Sequence, residues 1–198
     1  VNVFGYGSVD WSYGGIGNGS SGQVRPEDDN INSVVDLMKA LKRYGISTNS
    51  EIQSFYKKWC EPVNLIKDPN SIDRATARAL REPSMDKYST QLLDNAKAYS
   101  STAIAVISRT CHENNDLPNI QTKAGPGQVT DETRHYLEIS TEEEEILTYL
   151  GKNYEKVIVV INAGNIMELD FMDRIPGLDA CVYVGVTGTQ AASSIPSL

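Results

Sequence analysis

The sequence predicts an α/β protein: a layered sandwich with a mainly parallel central sheet and helices on both faces. Three observations predict it. Four short runs are apolar and rich in β-branched residues, namely Val1–Phe4, Thr102–Ile107, Lys156–Ile161 and Ala180–Val184. Segments of helical periodicity lie between them, and alternation of strand and helix builds parallel sheets. Ala103-Ile104-Ala105-Val106-Ile107 and Val157-Ile158-Val159-Val160-Ile161 are apolar at every position, as strands covered on both faces are. All four runs are therefore expected as interior strands of one sheet.

The elements follow in order. A first helix is expected from Asn30, as its cap, to Tyr44, because Val34, Val35, Leu37, Met38 and Leu41 share one face. Gly45 suits the left-handed position that ends it. A second helix starts near Ser50, with Ile52, Phe55, Tyr56 and Trp59 on one face, a pattern read as core. Residues 61–89 contain Pro62, Pro69 and Pro83 and no period, so an irregular excursion is expected, with at most a short helix near Ile72–Leu80. Thr90–Tyr99 is the next helix. Residues 108–138 read as one long polar loop with Gly125-Pro126-Gly127 inside it, and a loop of that length needs a reason. Ser140 and Glu143 make a capping box for a helix ending near Gly151, with Glu142–Glu145 as its solvated start. Leu169, Phe171 and Met172 fit a short helix, and a last one begins near Gln190.

Composition narrows the function. The 198 residues are 40% hydrophobic and 22% charged, an ordinary globular balance that suits one domain over 1–198. The net charge of -8 repels phosphate backbones, so nucleic acid is not an expected partner. Cys60, Cys111 and Cys181 are scattered and odd in number; reduced thiols are expected, with no metal site and no cofactor. No apolar run is long enough to span a bilayer, and no secretory signal opens the chain. It opens directly on a strand and stops just after a helix start. That is expected of a piece of a longer protein, so the compartment, a bacterial cytoplasm or a membrane reached through an outside anchor, stays open.

Two stretches carry candidate chemistry. The first is glycine-rich, Tyr13-Gly14-Gly15-Ile16-Gly17-Asn18-Gly19-Ser20-Ser21-Gly22. Glycine lets backbone approach a ligand closely. A dinucleotide fingerprint would need a third glycine where Asp10 stands and a helix directly after it, and no Gly-Lys-Ser/Thr follows for a phosphate loop. The second stretch is Val106–Asp116, where an apolar strand runs into a polar loop carrying Glu113. Ligands in open α/β sheets sit past the carboxyl ends of strands, and a carboxyl group there can serve as a general acid. A surface loop that merely contains a glutamate is the other reading of these residues taken alone. Cys111 and His112 are adjacent, and consecutive side chains rarely converge as a nucleophile–base pair. His135 has no evident partner. Glycoside hydrolysis uses two carboxyl groups, and Glu113 alone has a suitable position; Asp170 follows the third strand but falls at a short helix.

Set in order, these segments resemble a known family. They are Val1-Asn2-Val3-Phe4-Gly5, the Tyr13–Gly19 tract, Ala103–Arg109 followed by Glu113 and Asp116-Leu117-Pro118, Tyr136-Leu137-x-Ile139-Ser140, Lys156–Asn162 and Gly188-x-Gln190. The set resembles the α/β-sandwich, or C-terminal, domain of family-3 glycoside hydrolases, the β-glucosidases and relatives. That resemblance implies a retaining β-glycosidase domain in which Glu113 is the general acid/base. It implies that Tyr13, Gly14, Gly15, Gly17 and Gly19 form part of the sugar site. It also implies a nucleophilic Asp on a separate (β/α)8-barrel domain of the same parent chain, a β-linked glycoside as substrate, and an isolated chain that is inactive. The sequence departs from the family where His112 and Asn114 flank Glu113 in place of glycines, and where Val186-Thr187-Gly188-Thr189-Gln190 replaces a Pro-Gly-Gln-Glu segment. Two other readings stay open. One is a non-catalytic carbohydrate-binding or structural domain of a divergent homologue. The other is a nucleotide- or phosphate-binding α/β protein using Gly5–Gly22.

Overall fold

Every pairing in the central sheet is parallel, and its strand order is β1 (Asn2–Phe4), β2 (Thr102–Arg109), β5 (Lys156–Ala163), β6 (Ala180–Tyr183). The structure is a computed structural model that describes residues 1–13, 35–60, 80–109, 116–123, 129–188 and 191–197. β2 and β5 are paired along eight residues each, from Thr102 opposite Lys156 to Arg109 opposite Ala163. Outside β1, the segment Ile46–Asn49 runs alongside: the Val1 amine donates to Ser47 O (2.7 Å) and Asn49 N to Val1 O (3.1 Å).

Alternating side chains of each strand face opposite ways, and two cores result. Ala103, Ala105, Ile107, Val157, Val159 and Ile161 pack under α2 (Ser50–Cys60), α3 (Thr90–Tyr99), α4 (Thr141–Asn153) and α5 (Phe171–Arg174). Val3, Ile104, Val106 and Val160 pack on the other face, under α1 (Leu37–Arg43) and a 3-10 turn, Ala191–Ser197. The all-apolar strands are thus covered on both faces, as expected. The connection through α1 leads outward from β1 to residues 46–49. Those through α4 and α5, on the opposite face, lead the other way, from β2 to β5 to β6. The direction reverses between β1 and β2. In doubly wound sheets this reversal opens a crevice at the carboxyl ends of the strands.

Several elements form as the local sequence demands. Ser89 caps α3 through Leu92 N. Ser140 and Glu143 make the full reciprocal capping box of α4. Gly45 (φ 74°) closes α1, with Ile46 N bonded to Leu41 O (2.9 Å) and Gly45 N to Lys42 O (3.0 Å), the Schellman pattern.

Other expectations are corrected. The helix ending at Arg43 is capped by Asp36, whose side chain accepts from Lys39 N, and not by Asn30; Asn30–Val34 lie outside the described residues. Trp59 is 38% exposed; its indole N–H donates to Arg81 O (2.7 Å), which holds it at the surface. The loop over 108–138 is not structureless: β3 (Gln121–Lys123) and β4 (Val129–Asp131) form an antiparallel pair, and Leu80 N donates to Thr122 O (2.8 Å). The expected helix near Ile72–Leu80 falls outside the described residues except for Leu80 itself. Among the described residues β1 and β6 are the two end strands of the sheet, not interior ones; β1 is nonetheless buried, whereas the side chains of β6 are half-exposed. The element after Gln190 is 3-10. Glu142–Glu145 is not simply solvated, because Glu143 is fully buried. No helix among the described residues is long and apolar enough to cross a membrane.

Candidate functional site

The carboxyl ends of β1 and β2 begin the crevice. After β1 the chain turns through Gly5, whose φ is 91°. A Cβ there would meet Val106 O at 2.2 Å, so only glycine lets β1 turn this close to β2. The turn Tyr6–Ser8 follows, and Tyr6 Oη donates to Ser108 O (2.6 Å), tying it to the last turn of strand β2.

Beyond it, Trp11–Tyr13 crosses the ends of β5 and β6. Asn162, fully buried at the end of β5, holds that crossing. Its Oδ1 accepts from Ser12 N (2.6 Å), and its Nδ2 donates to Ser12 O (2.9 Å) and Gly185 O (2.7 Å). Trp11 Nε1 donates to Thr187 Oγ1 (2.8 Å), and Gly188 N donates to Tyr13 O (2.7 Å). Tyr13 also hydrogen-bonds Asp36, the cap of α1; burial first, then Asp36 and Asp10, push its hydroxyl up, which keeps it neutral. The root of the glycine tract is therefore built from the loops after β1 and β6, the end of β5 and the start of one helix.

The root of the Glu113 loop is Arg109. Its side chain is buried, yet every part of it is bonded. Nη1 and Nη2 meet Glu143 Oε1 and Oε2 at 2.7 and 2.6 Å, a bidentate pair. Nη1 also donates to Ser108 O and Nη2 to Glu138 O, both at 2.9 Å. The guanidinium stands 5.9 Å from the centre of the Tyr136 ring. Glu143 Oε2 accepts the Ser140 N–H as well (2.7 Å). One carboxylate thus caps α4 and locks the end of β2. The sequence showed the capping box but not the second use of Glu143, because Arg109 is 34 residues away.

Beneath Tyr6 lies a second buried carboxyl group that the sequence did not reveal. Glu82 Oε2 accepts Tyr6 N (2.9 Å), while Oε1 meets Tyr56 Oη (2.7 Å) and Tyr88 Oη (2.8 Å). Burial lifts its pKa to about 7, against the hydrogen bonds from Tyr56, Tyr6 and Tyr88 that favour the charge. Its position within the unpatterned stretch 61–89, just before Pro83, hid it.

Of the expected site residues, Tyr13 lies on the described rim. Glu113 and Gly14, Gly15, Gly17 and Gly19 lie outside the described residues, as do Cys111 and His112. Their two stretches leave from Arg109 and Tyr13, both at the carboxyl edge of the sheet. His135 is exposed, and its Nδ1 accepts from Leu137 N at 3.5 Å. Asp170 pairs with Arg174 (2.7 Å). No group of side chains suited to a metal occurs among the described residues. Cys60 and Cys181 are free thiols. Burial pushes Cys60 up to about 12 and raises Cys181, so neither is a ready nucleophile.

Comparison with known proteins adds to this geometry. No family model matches the chain. A β-glucosidase of Ruminococcus albus is 26% identical over 196 residues, which cover 96% of this chain and 18% of that protein. The chain resembles the sandwich domain of family-3 β-glucosidases. A β-glucosidase from Paenibacillus barengoltzii superposes on all of it with a TM-score of 0.72 at 20% identity, over 19% of its own chain. β-Glucosidase 3B from Thermotoga neapolitana, solved with glucose, covers 97% of it with a TM-score of 0.65 at 18% identity, over 24% of its own chain. These superpositions establish the α/β fold. The present chain thus spans about a fifth of the length of the relatives it matches.

Proposed function

We propose that residues 1–198 are one α/β-sandwich domain of a longer retaining β-glycosidase, β-glucosidase-like in substrate class. In this reading Glu113 protonates the departing glycosidic oxygen and then deprotonates the attacking water. Tyr13 with Gly14, Gly15, Gly17 and Gly19 contributes part of the sugar site. The nucleophilic carboxylate belongs to a (β/α)8-barrel domain of the same parent chain, and the domain has no activity alone. The observation that carries the reading is the common origin of the two stretches. Both leave the carboxyl edge of the sheet, one from the end of β2 beside the reversal and the other from across the ends of β5 and β6, the edge at which such sheets bind ligands. The similarity to a β-glucosidase along 96% of the chain supports the substrate class. Arg109 and Asn162 do not touch sugar in this account; they hold the two roots rigid, as a preorganised site requires.

The test is Glu113→Gln in the full-length parent. It should preserve folding and slow the acid-dependent step by roughly 10²–10⁴-fold, the usual range for general acid catalysis. Aryl glycosides with very acidic leaving groups should lose least in glycosylation, since they hardly need the proton. Azide should restore turnover and yield a glycosyl azide, because an anionic nucleophile needs no base. Equal losses for good and poor leaving groups, with glycosylation rate-limiting, would remove Glu113 from the acid role and leave a sugar-binding or structural domain.

A further inference from the structure

Glu82 Oε1, Tyr56 Oη and Tyr88 Oη form a closed triangle. The sides are 2.7 Å from Glu82 to Tyr56, 2.8 Å from Glu82 to Tyr88 and 2.5 Å from Tyr56 to Tyr88. Oxygens this close are hydrogen-bonded, so each side needs a proton. The two phenols supply two, and burial holds both in their neutral form. With Glu82 ionised, one side of the triangle has no proton and two oxygens face each other with lone pairs alone. With Oε1 protonated, each oxygen donates once and accepts once. Oε2 is then a carbonyl oxygen, and it accepts Tyr6 N as a carbonyl should.

We propose that Glu82 is a positioning residue that carries a proton in the folded protein, and that this proton closes a ring of three hydrogen bonds beneath the crevice between β1 and β2. Through Tyr6 N the ring holds the turn after β1, and through Tyr6 Oη, which donates to Ser108 O, it reaches the end of β2. Loss of the proton opens the ring and loosens the turn after β1 and the end of β2 together.

Among the described residues, no free counter-charge faces the ionised form. From α2 come Tyr56 and Cys60, and from its own segment Tyr88 and Arg81. Arg81 is already paired with Asp10 (2.6 Å). From α4 comes Glu143, a like charge taken up by Arg109 of β2. Cys60 is neutral at ordinary pH, as burial dictates. The crevice is therefore seated on a group whose charge changes near neutrality.

This inference goes beyond the glycosidase reading and is tested without sugar. The 198-residue chain, labelled with ¹³C at glutamate carboxyls and with ¹⁵N, is titrated from pH 5.5 to 8.5. The expected result is one protonated-carboxyl infrared band that bleaches with a midpoint of about 7 and is absent in Glu82→Gln. The Tyr6 amide shift should follow the same midpoint in the unmodified chain, which assigns the band independently of any variant. In Tyr88→Phe the contact between the two phenols is gone and the one phenolic proton serves the one contact left, so relief of the unprotonated side outweighs the lost donor and the midpoint should fall. A Tyr6 amide that does not titrate over this range, or a midpoint that rises or stays fixed in Tyr88→Phe, overturns the ring.

Discussion

Arg109 is charged, large and fully buried, and this is tolerable only because Glu143 and three backbone carbonyls, of Ser108, Tyr136 and Glu138, meet all of its guanidinium. Removing one partner strands the other. Arg109→Ala should therefore destabilise the chain by about 3–5 kcal/mol, the usual cost of breaking a buried pair, as read by denaturant unfolding. Exposed pairs such as Arg174–Asp170 should change stability by less than about 1 kcal/mol when broken. Glu82 makes a prediction of opposite character. An unfolded chain releases its proton near 4.5 and the folded one near 7, so between these values the folded state binds more protons. The stability that Glu82 contributes is complete below pH 4.5 and is lost as the pH rises through about 7. Its full size is on the order of 3 kcal/mol. The fall measured from pH 5.5 to 8 should flatten in Glu82→Gln; an equal slope in both proteins would assign the effect to other groups.

The elements that formed as expected are those whose signals are local. α3 and α4 are bounded by a serine cap and, in α4, a glutamate three residues on. Ser140→Ala should cost about 1 kcal/mol, as lost caps do. α1 starts late because Asp36 bonds the backbone N–H three residues ahead, a local competition that periodicity alone does not see. A contact between elements is as demanding as any cap. Gly151 in α4 and Gly177 after α5 meet backbone to backbone, and a Cβ on Gly177 would lie 2.2 Å from Gly151 O. Gly177 also has φ 86°. Gly177→Ala should cost about 1–3 kcal/mol, the range for overpacking, and Gly45→Ala less, because nothing lies within 4 Å of a Cβ there. Thermal unfolding of the two variants side by side checks the order.

At the scale of the molecule, the isolated chain is expected to give no turnover of a nitrophenyl β-glucoside. A retaining mechanism needs its two carboxyl groups about 5–5.5 Å apart, and the proposed reading assigns the nucleophile to another domain. Turnover by the pure chain, abolished by an active-site inactivator, would contradict that assignment. The parallel sheet, its four strands and the helices on both faces were legible in the sequence, because a strand buried on both sides must be apolar throughout. Runs such as Ala103–Ile107 and Val157–Ile161 admit no other environment. The strand ends were legible for the same reason. The two buried carboxyl groups were not. Glu143 reads as a capping residue on a solvated helix start, and Glu82 reads as one charge in an irregular stretch. What makes them central is a partner far along the chain: Arg109 for one, Tyr6, Tyr56 and Tyr88 for the other. Sequence by itself determined which surfaces must be covered, since that depends on side-chain polarity at a fixed period. Only the tertiary structure decided which polar groups are covered with them, because a buried charge is permitted or forbidden by contacts that no local pattern records.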